Sequence, residues 1–135
     1  MKKHVENAQM VAEWLEADPR IEGVSYAGLK SSPYNALAER LYPKGVGALF
    51  TVKVKGGYDT CVKLVDSLEL FSHVANLGDA RSLVIHSAST THRQLSPEQR
   101  EGAGAGDNVV RLSIGIEDPA DIIADLDQAL AKATG

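Results

Sequence analysis

Apolar and polar positions along this chain switch repeatedly between a helical and an alternating period. From Asn7 to Ala17, Ala8, Val11, Ala12 and Leu15 recur at helical spacing with Glu13 and Glu16 opposite, which predicts a helix ended by Asp18-Pro19. Ile21 to Ala27 predicts a short strand with Val24 and Tyr26 on one face. Ser32-Pro33 predicts the cap and first position of a second helix, with Leu37 and Leu41 on its apolar side and Tyr42-Pro43 at its end. Leu49 to Lys55 alternates cleanly, Phe50, Val52 and Val54 against Thr51, Lys53 and Lys55. Gly56-Gly57 then turns the chain into a helix with Cys61, Leu64, Val65 and Leu68 inside.

The middle of the chain is less regular. Arg81 to Ile85 predicts a strand, and the polar run Ser87 to Arg93 predicts a loop. Ser96-Pro97-Glu98-Gln99 has the form of a capping box, and the short helix it opens runs out into Gly102, Gly104 and Gly106. Val109 to Ile116 predicts a strand whose buried row is Val110, Leu112, Ile114 and Ile116. Asp118-Pro119 caps a last helix with Ile122, Ile123, Leu126 and Leu130 inward. The fold class predicted is α+β, a small sheet with helices on one face and the other face free to cover something else.

Composition narrows the function. At 135 residues the chain is one domain, and its net charge of −4 leaves no basic surplus for nucleic acid. One cysteine excludes an internal disulfide and any multi-cysteine metal site. No apolar run is long enough to span a membrane and no secretory signal follows Met1, so a cytoplasmic setting is expected.

The chemistry candidates are few. Arg111 stands mid-strand on the row opposite Val110 and Leu112, either as a solvated sheet residue or as a fork for a carboxylate. His86 and His92 lack acidic neighbours at ligand spacing and read as loop anchors, with no metal expected. Ser89, Thr90 and Thr91 read as backbone caps of a polar loop, and no nucleophile-elbow glycines surround them. The glycines from Gly102 to Gly106 precede a strand, where a phosphate loop would follow one. Lys30 reads as an exposed lysine and Cys61 as a small core residue.

Longer strings carry further. Ser67 to Leu83 (SLELFSHVANLGDARSL), Ile85 to His92 (IHSASTTH) and Val110 to Asp118 (VRLSIGIED) together resemble the C-terminal domain of the Cys/Met-metabolism family of pyridoxal-phosphate enzymes. Ala27 to Tyr34 (AGLKSSPY) and Leu70 to Ala75 favour its O-acetylhomoserine sulfhydrylase branch over the cystathionine lyases and synthases. The resemblance implies a mostly antiparallel sheet, as in the C-terminal domain of fold-type I enzymes, over residues 1–135.

It also implies that the large domain carrying the cofactor lysine is absent from this chain. No pyridoxal 5'-phosphate is then expected on the chain alone, and no turnover. Arg111 is implied to bind the α-carboxylate of the amino-acid substrate, O-acetylhomoserine in the full enzyme. Asn76 stands where the lyase branch commonly has a serine on the same carboxylate. Thr91 is implied to support the arginine and substrate from the side. Ser87 replaces the family's usual proline, which loosens that loop's preset geometry. The implied reaction replaces acetate at the γ-carbon by sulfide or a thiol, in a homo-oligomer that binds neither nucleic acid nor membrane. An alternative is a stand-alone, non-catalytic binding or assembly module with the same fold. The missing domain also predicts exposed apolar surface.

Overall fold

The computed structural model describes residues 1–135. In chain order the elements are α1 (Lys2–Glu16), β1 (Ile21–Ser25), α2 (Asn35–Leu41), β2 (Leu49–Val54), α3 (Tyr58–Ser67), β3 (Ser72–His73), β4 (Leu83–Ile85), α4 (Pro97–Gly102), β5 (Val109–Ser113) and α5 (Pro119–Thr134), with a single 3-10 turn at Ser87–Ser89. The strands form one sheet in the order β1-β2-β5-β4-β3. Every pairing is antiparallel except β3 with β4. The last strand of the sequence is therefore the middle strand of the sheet.

Alternation along the strands decides which face is covered. Phe50, Val52 and Val54 of β2, Val84 of β4, and Val110 and Leu112 of β5 are buried with Val11 and Leu15 of α1, Cys61, Leu64 and Val65 of α3, and Ile122, Leu126 and Leu130 of α5. The other face is half closed. Directly paired residues share a face, so Ser25, Thr51, Arg111 and Ile85 form one row across four strands, and Leu49, Ser113 and Leu83 form the next. Leu83, Ile85 and Ser113 are buried, Thr51 and Arg111 are half-buried, and Ser25, Leu49 and Lys53 are exposed. The architecture is the predicted α+β one, with helices on a single face of the sheet.

Two of the three capping signals are realised. Asp118 accepts from the Ala120 amide at 2.8 Å with Pro119 in the first turn of α5. Ser96 Oγ accepts from the Gln99 amide at 3.2 Å while Gln99 Oε1 accepts from the Ser96 amide at 2.9 Å.

Three expectations need correction. α1 starts at Lys2 instead of Asn7, because its first turn is polar and shows no apolar period. α2 starts at Asn35, after a turn in which Ser32 Oγ accepts from the Tyr34 amide; Ala38 is its buried residue, and Leu37 and Leu41 are 44% and 56% exposed. Tyr34 and Tyr42 are also exposed, so α2 carries an outward apolar surface. Ile116 is 48% exposed, because β5 ends at Ser113 and the chain has already turned toward α5.

Candidate functional site

Arg111 is at the centre of β5, paired with Thr51 on one side and Ile85 on the other. Since Val110 and Leu112 point into the helical core, the period of two places the guanidinium on the opposite face. Of the three half-buried arginines, Arg20 pairs with Asp18 and Asp127, and Arg100 pairs with Asp107. Arg111 has no acidic partner. The guanidinium's one hydrogen bond within the chain runs from Nη2 to the Asn76 carbonyl at 3.5 Å, the outer limit of such a contact. A guanidinium on a half-buried residue, with no acid to occupy its paired N–H donors, is chemically suited to an external carboxylate.

Asn76 lies in the exposed segment between β3 and β4. Its Oδ1 accepts from the Leu77 amide at 2.9 Å, so its backbone carbonyl, not its side chain, meets Arg111. Thr91 lies beyond the 3-10 turn, exposed, with its hydroxyl 2.9 Å from His92 Nδ1. The structure thus brings Arg111 and Asn76 together, and no hydrogen bond joins Thr91 to either.

The flanking loop is held by His86, whose ring is buried. Nε2 is 2.8 Å from the Asp107 carbonyl, which only accepts, so this nitrogen carries the proton and Nδ1 faces Ser89 Oγ at 2.9 Å. The Tyr58 ring meets it edge-on at 5.1 Å. Burial is the main reason that His86 holds a proton less readily than a free histidine. Thr90 Oγ donates to the His86 carbonyl at 2.8 Å, the backbone-capping role expected of this hydroxyl cluster.

The remaining candidates are inert by position. Cys61 is fully buried, and that burial, with the Asp107 charge second, pushes its thiol up to about 12. Every lysine of the chain, Lys30 included, is exposed. A Schiff-base lysine needs a desolvated pocket to lower its proton affinity. None of the lysines of this chain stands in such a pocket. No three His, Cys, Asp or Glu side chains converge as a metal set. No helix is long and apolar enough to cross a membrane.

Sequence reasoning missed the buried polar residues that tie distant segments of the chain together. Asn7, Ser82 and Asp125 are buried, and Glu117 is half-buried with both carboxylate oxygens bonded to Ser82. The one available signal was a polar residue on an apolar stripe, Asn7 beside Ala8 and Asp125 beside Leu126.

Comparison with known proteins places these features in context. A family model described as Cys/Met metabolism PLP-dependent enzyme matches residues 1–131. The chain is 44% identical to O-acetyl-L-homoserine sulfhydrylase 1 of Thermus thermophilus, over 96% of this chain and 31% of that protein. It is 45% identical to L-methionine gamma-lyase of Treponema denticola, over 98% of this chain and 33% of that protein. A crystal structure of a putative O-acetylhomoserine (thiol)-lyase from Campylobacter jejuni, which carries a pyridoxyl-lysine monophosphate, superposes with a TM-score of 0.88 at 42% identity, covering 96% of this chain and 31% of that one. The chain spans about a third of the length of these relatives.

Proposed function

The chain belongs to the Cys/Met-metabolism family of pyridoxal-phosphate-dependent enzymes, and on that premise we propose that it forms the carboxylate-binding C-terminal part of an O-acetylhomoserine sulfhydrylase. The observation that carries this reading is Arg111 itself, a half-buried residue on the open sheet face whose guanidinium has no acidic partner. In the whole enzyme pyridoxal phosphate supplies the electron sink for exchanging acetate at the γ-carbon for sulfide or a thiol.

Within this chain the work is positional. Arg111 takes the substrate's α-carboxylate on its two parallel N–H donors. Its strand is hydrogen-bonded on both sides, so the guanidinium stem starts from a rigid floor. Fixing the carboxylate fixes the α-carbon and with it the direction of the bonds that react. Asn76 borders the same space, with its amide nitrogen left to donate. Thr91 joins from the flanking turn once its hydroxyl exchanges His92 for the arginine or the substrate. The chain alone then neither holds the cofactor covalently nor turns over substrate, and the enzyme is a cytoplasmic homo-oligomer.

The branch assignment rests on the strings AGLKSSPY and LFSHVA, since a lyase and a sulfhydrylase are about equally similar in identity. The non-catalytic binding or assembly reading draws on the outward apolar surface of α2. Steady-state kinetics of Arg111→Ala in the full-length enzyme separate the two. The KM for O-acetylhomoserine should rise about 30- to 900-fold, the equivalent of ~2–4 kcal/mol for losing one side of a buried charge pair. Arg111→Lys, which keeps the charge without the fork, should fall between. An unchanged KM in Arg111→Ala defeats the assignment.

A further inference from the structure

The segment that carries Asn76 has little regular structure of its own. From His73 to Gly78 it is exposed throughout, yet it must stay beside Arg111 for the site to exist. Resting on the reading of Arg111 as the carboxylate clamp, we propose that Glu117, Ser82 and Asn7 form a latch that positions this segment, and so are positioning residues for substrate binding.

The segment is fastened to β5 and its continuation in a regular order. The Asn76 carbonyl meets Arg111 Nη2 at 3.5 Å, and the Gly78 amide donates to Ser113 Oγ at 3.3 Å. The Ile116 amide donates to the Ala80 carbonyl at 2.9 Å. At Ser82 the fastening closes. Its amide donates to Glu117 Oε2 at 2.8 Å and its hydroxyl to Oε1 at 2.9 Å, while the same hydroxyl accepts from the Gly115 amide at 2.9 Å. Both Glu117 bonds are charge-assisted and so among the stronger ones available.

α1 braces the latch from behind. Asn7 Nδ2 donates to the carbonyls of Gly115 at 3.1 Å and Glu117 at 2.7 Å, and His4 Nε2 lies 3.0 Å from the Asp79 carbonyl. Asn7 and Ser82 are fully buried, so the anchored end is dry while the Asn76 end is wet. The contacts tighten from 3.5 Å at Arg111 to 2.8 Å at Glu117. Gly115 is part of the device: a Cβ there would collide with the Ala80 carbonyl and come 2.5 Å from Glu117 Oε1. Three separate stretches of chain thus converge on one glycine and one serine, and what they hold in place is the border of the carboxylate site.

Amide hydrogen exchange and the Arg111 Nε–Hε NMR signal of the 135-residue chain test this, with Ser82→Ala, Glu117→Ala, Gly115→Ala and the conservative Glu117→Gln. The first three should speed exchange at Gly78 about tenfold or more and mobilise the Arg111 side chain, while Val52 and Leu112 keep their rates. Glu117→Gln, which retains an acceptor for the Ser82 amide, should recover part of the protection. Uniform acceleration across the sheet, or an unchanged Gly78, overturns the latch; if one variant does not fold, the Glu117→Gln result still decides.

In the full-length enzyme Glu117→Ala should raise KM about tenfold and leave kcat within twofold. If Arg111→Ala leaves KM unchanged, the carboxylate reading fails. If Arg111→Ala raises KM and Glu117→Ala does not, the latch alone fails.

Discussion

Asp125→Ala perturbs a feature of this fold that no hydrophobic count would reveal. The Asp125 carboxylate lies on the inner side of α5 and is 7% exposed. Oδ1 accepts from the Glu69 amide at 2.9 Å and Oδ2 from the Leu70 amide at 2.8 Å and the Phe71 amide at 3.3 Å, while Gln128 Nε2 donates to Oδ1 at 3.0 Å. The chain leaves α3 at Leu68 in an extended conformation, so these consecutive amides have no helical acceptor. After truncation the Phe71 amide stays buried without a partner, a cost of ~1–3 kcal/mol. Glu69 and Leu70 are exposed residues whose amides regain water, so their lost charge-assisted bonds add only ~1–2 kcal/mol.

The sum is ~2–5 kcal/mol, a large share of the ~5–15 kcal/mol that holds a domain folded. An unfolding entropy of ~2.1 cal/mol/K per residue gives ~0.28 kcal/mol/K for a chain of 135 residues, so the Tm should fall by about 7–18 °C. Asp125→Asn keeps one acceptor oxygen and should lose about half as much. Urea melts give the free energies, and exchange at Leu70 and Phe71 locates the change. A loss below ~1 kcal/mol with those two amides still protected would refute the reasoning.

Two further predictions concern His86 and Cys61. Burial lowers the proton affinity of His86 in the folded chain, so between its folded value and the ordinary ~6.5 the unfolded chain binds more protons. Stability contributed by neutral His86 is therefore present above about pH 6.5 and is lost as pH falls through the folded value, with a slope of at most ~1.4 kcal/mol per pH unit. Urea melts from pH 7.5 to 5.5 should show a shallower fall for His86→Gln than for the wild type, and identical slopes would count against this. Cys61, buried and pushed up to about 12, should react with iodoacetamide only as fast as the chain opens. Labelling of the native chain at the rate of a free thiol would contradict its placement.

The periodic elements were readable because each face of a helix or strand repeats a simple rule. Phe50, Val52 and Val54 announce β2, and Asp118-Pro119 announces the start of α5, with both outcomes set by neighbours within a few residues. α2 misled for the same reason: Leu37 and Leu41 fit an inward stripe, but only the packing around Ala38 decides which way a seven-residue helix turns. β3 has two residues and no period at all.

The candidate site divides in the same way. Alternation alone places Arg111 off the core face, and motif strings alone single it out among the arginines. That it is half-buried and free of any acid, with Asn76 at its side through a carbonyl instead of an amide, depends on β5 being threaded between β2 and β4. Asn7, Ser82, Glu117 and Asp125 were silent in the sequence because a polar residue declares a structural role only through its partner. Those partners lie up to 110 residues away in Asn7 and Glu117. Local periodicity determined the elements and the face on which the guanidinium stands. The long-range hydrogen bonds that hold its surroundings were decided by the tertiary fold, because directional bonds between distant residues leave no repeating trace along a chain.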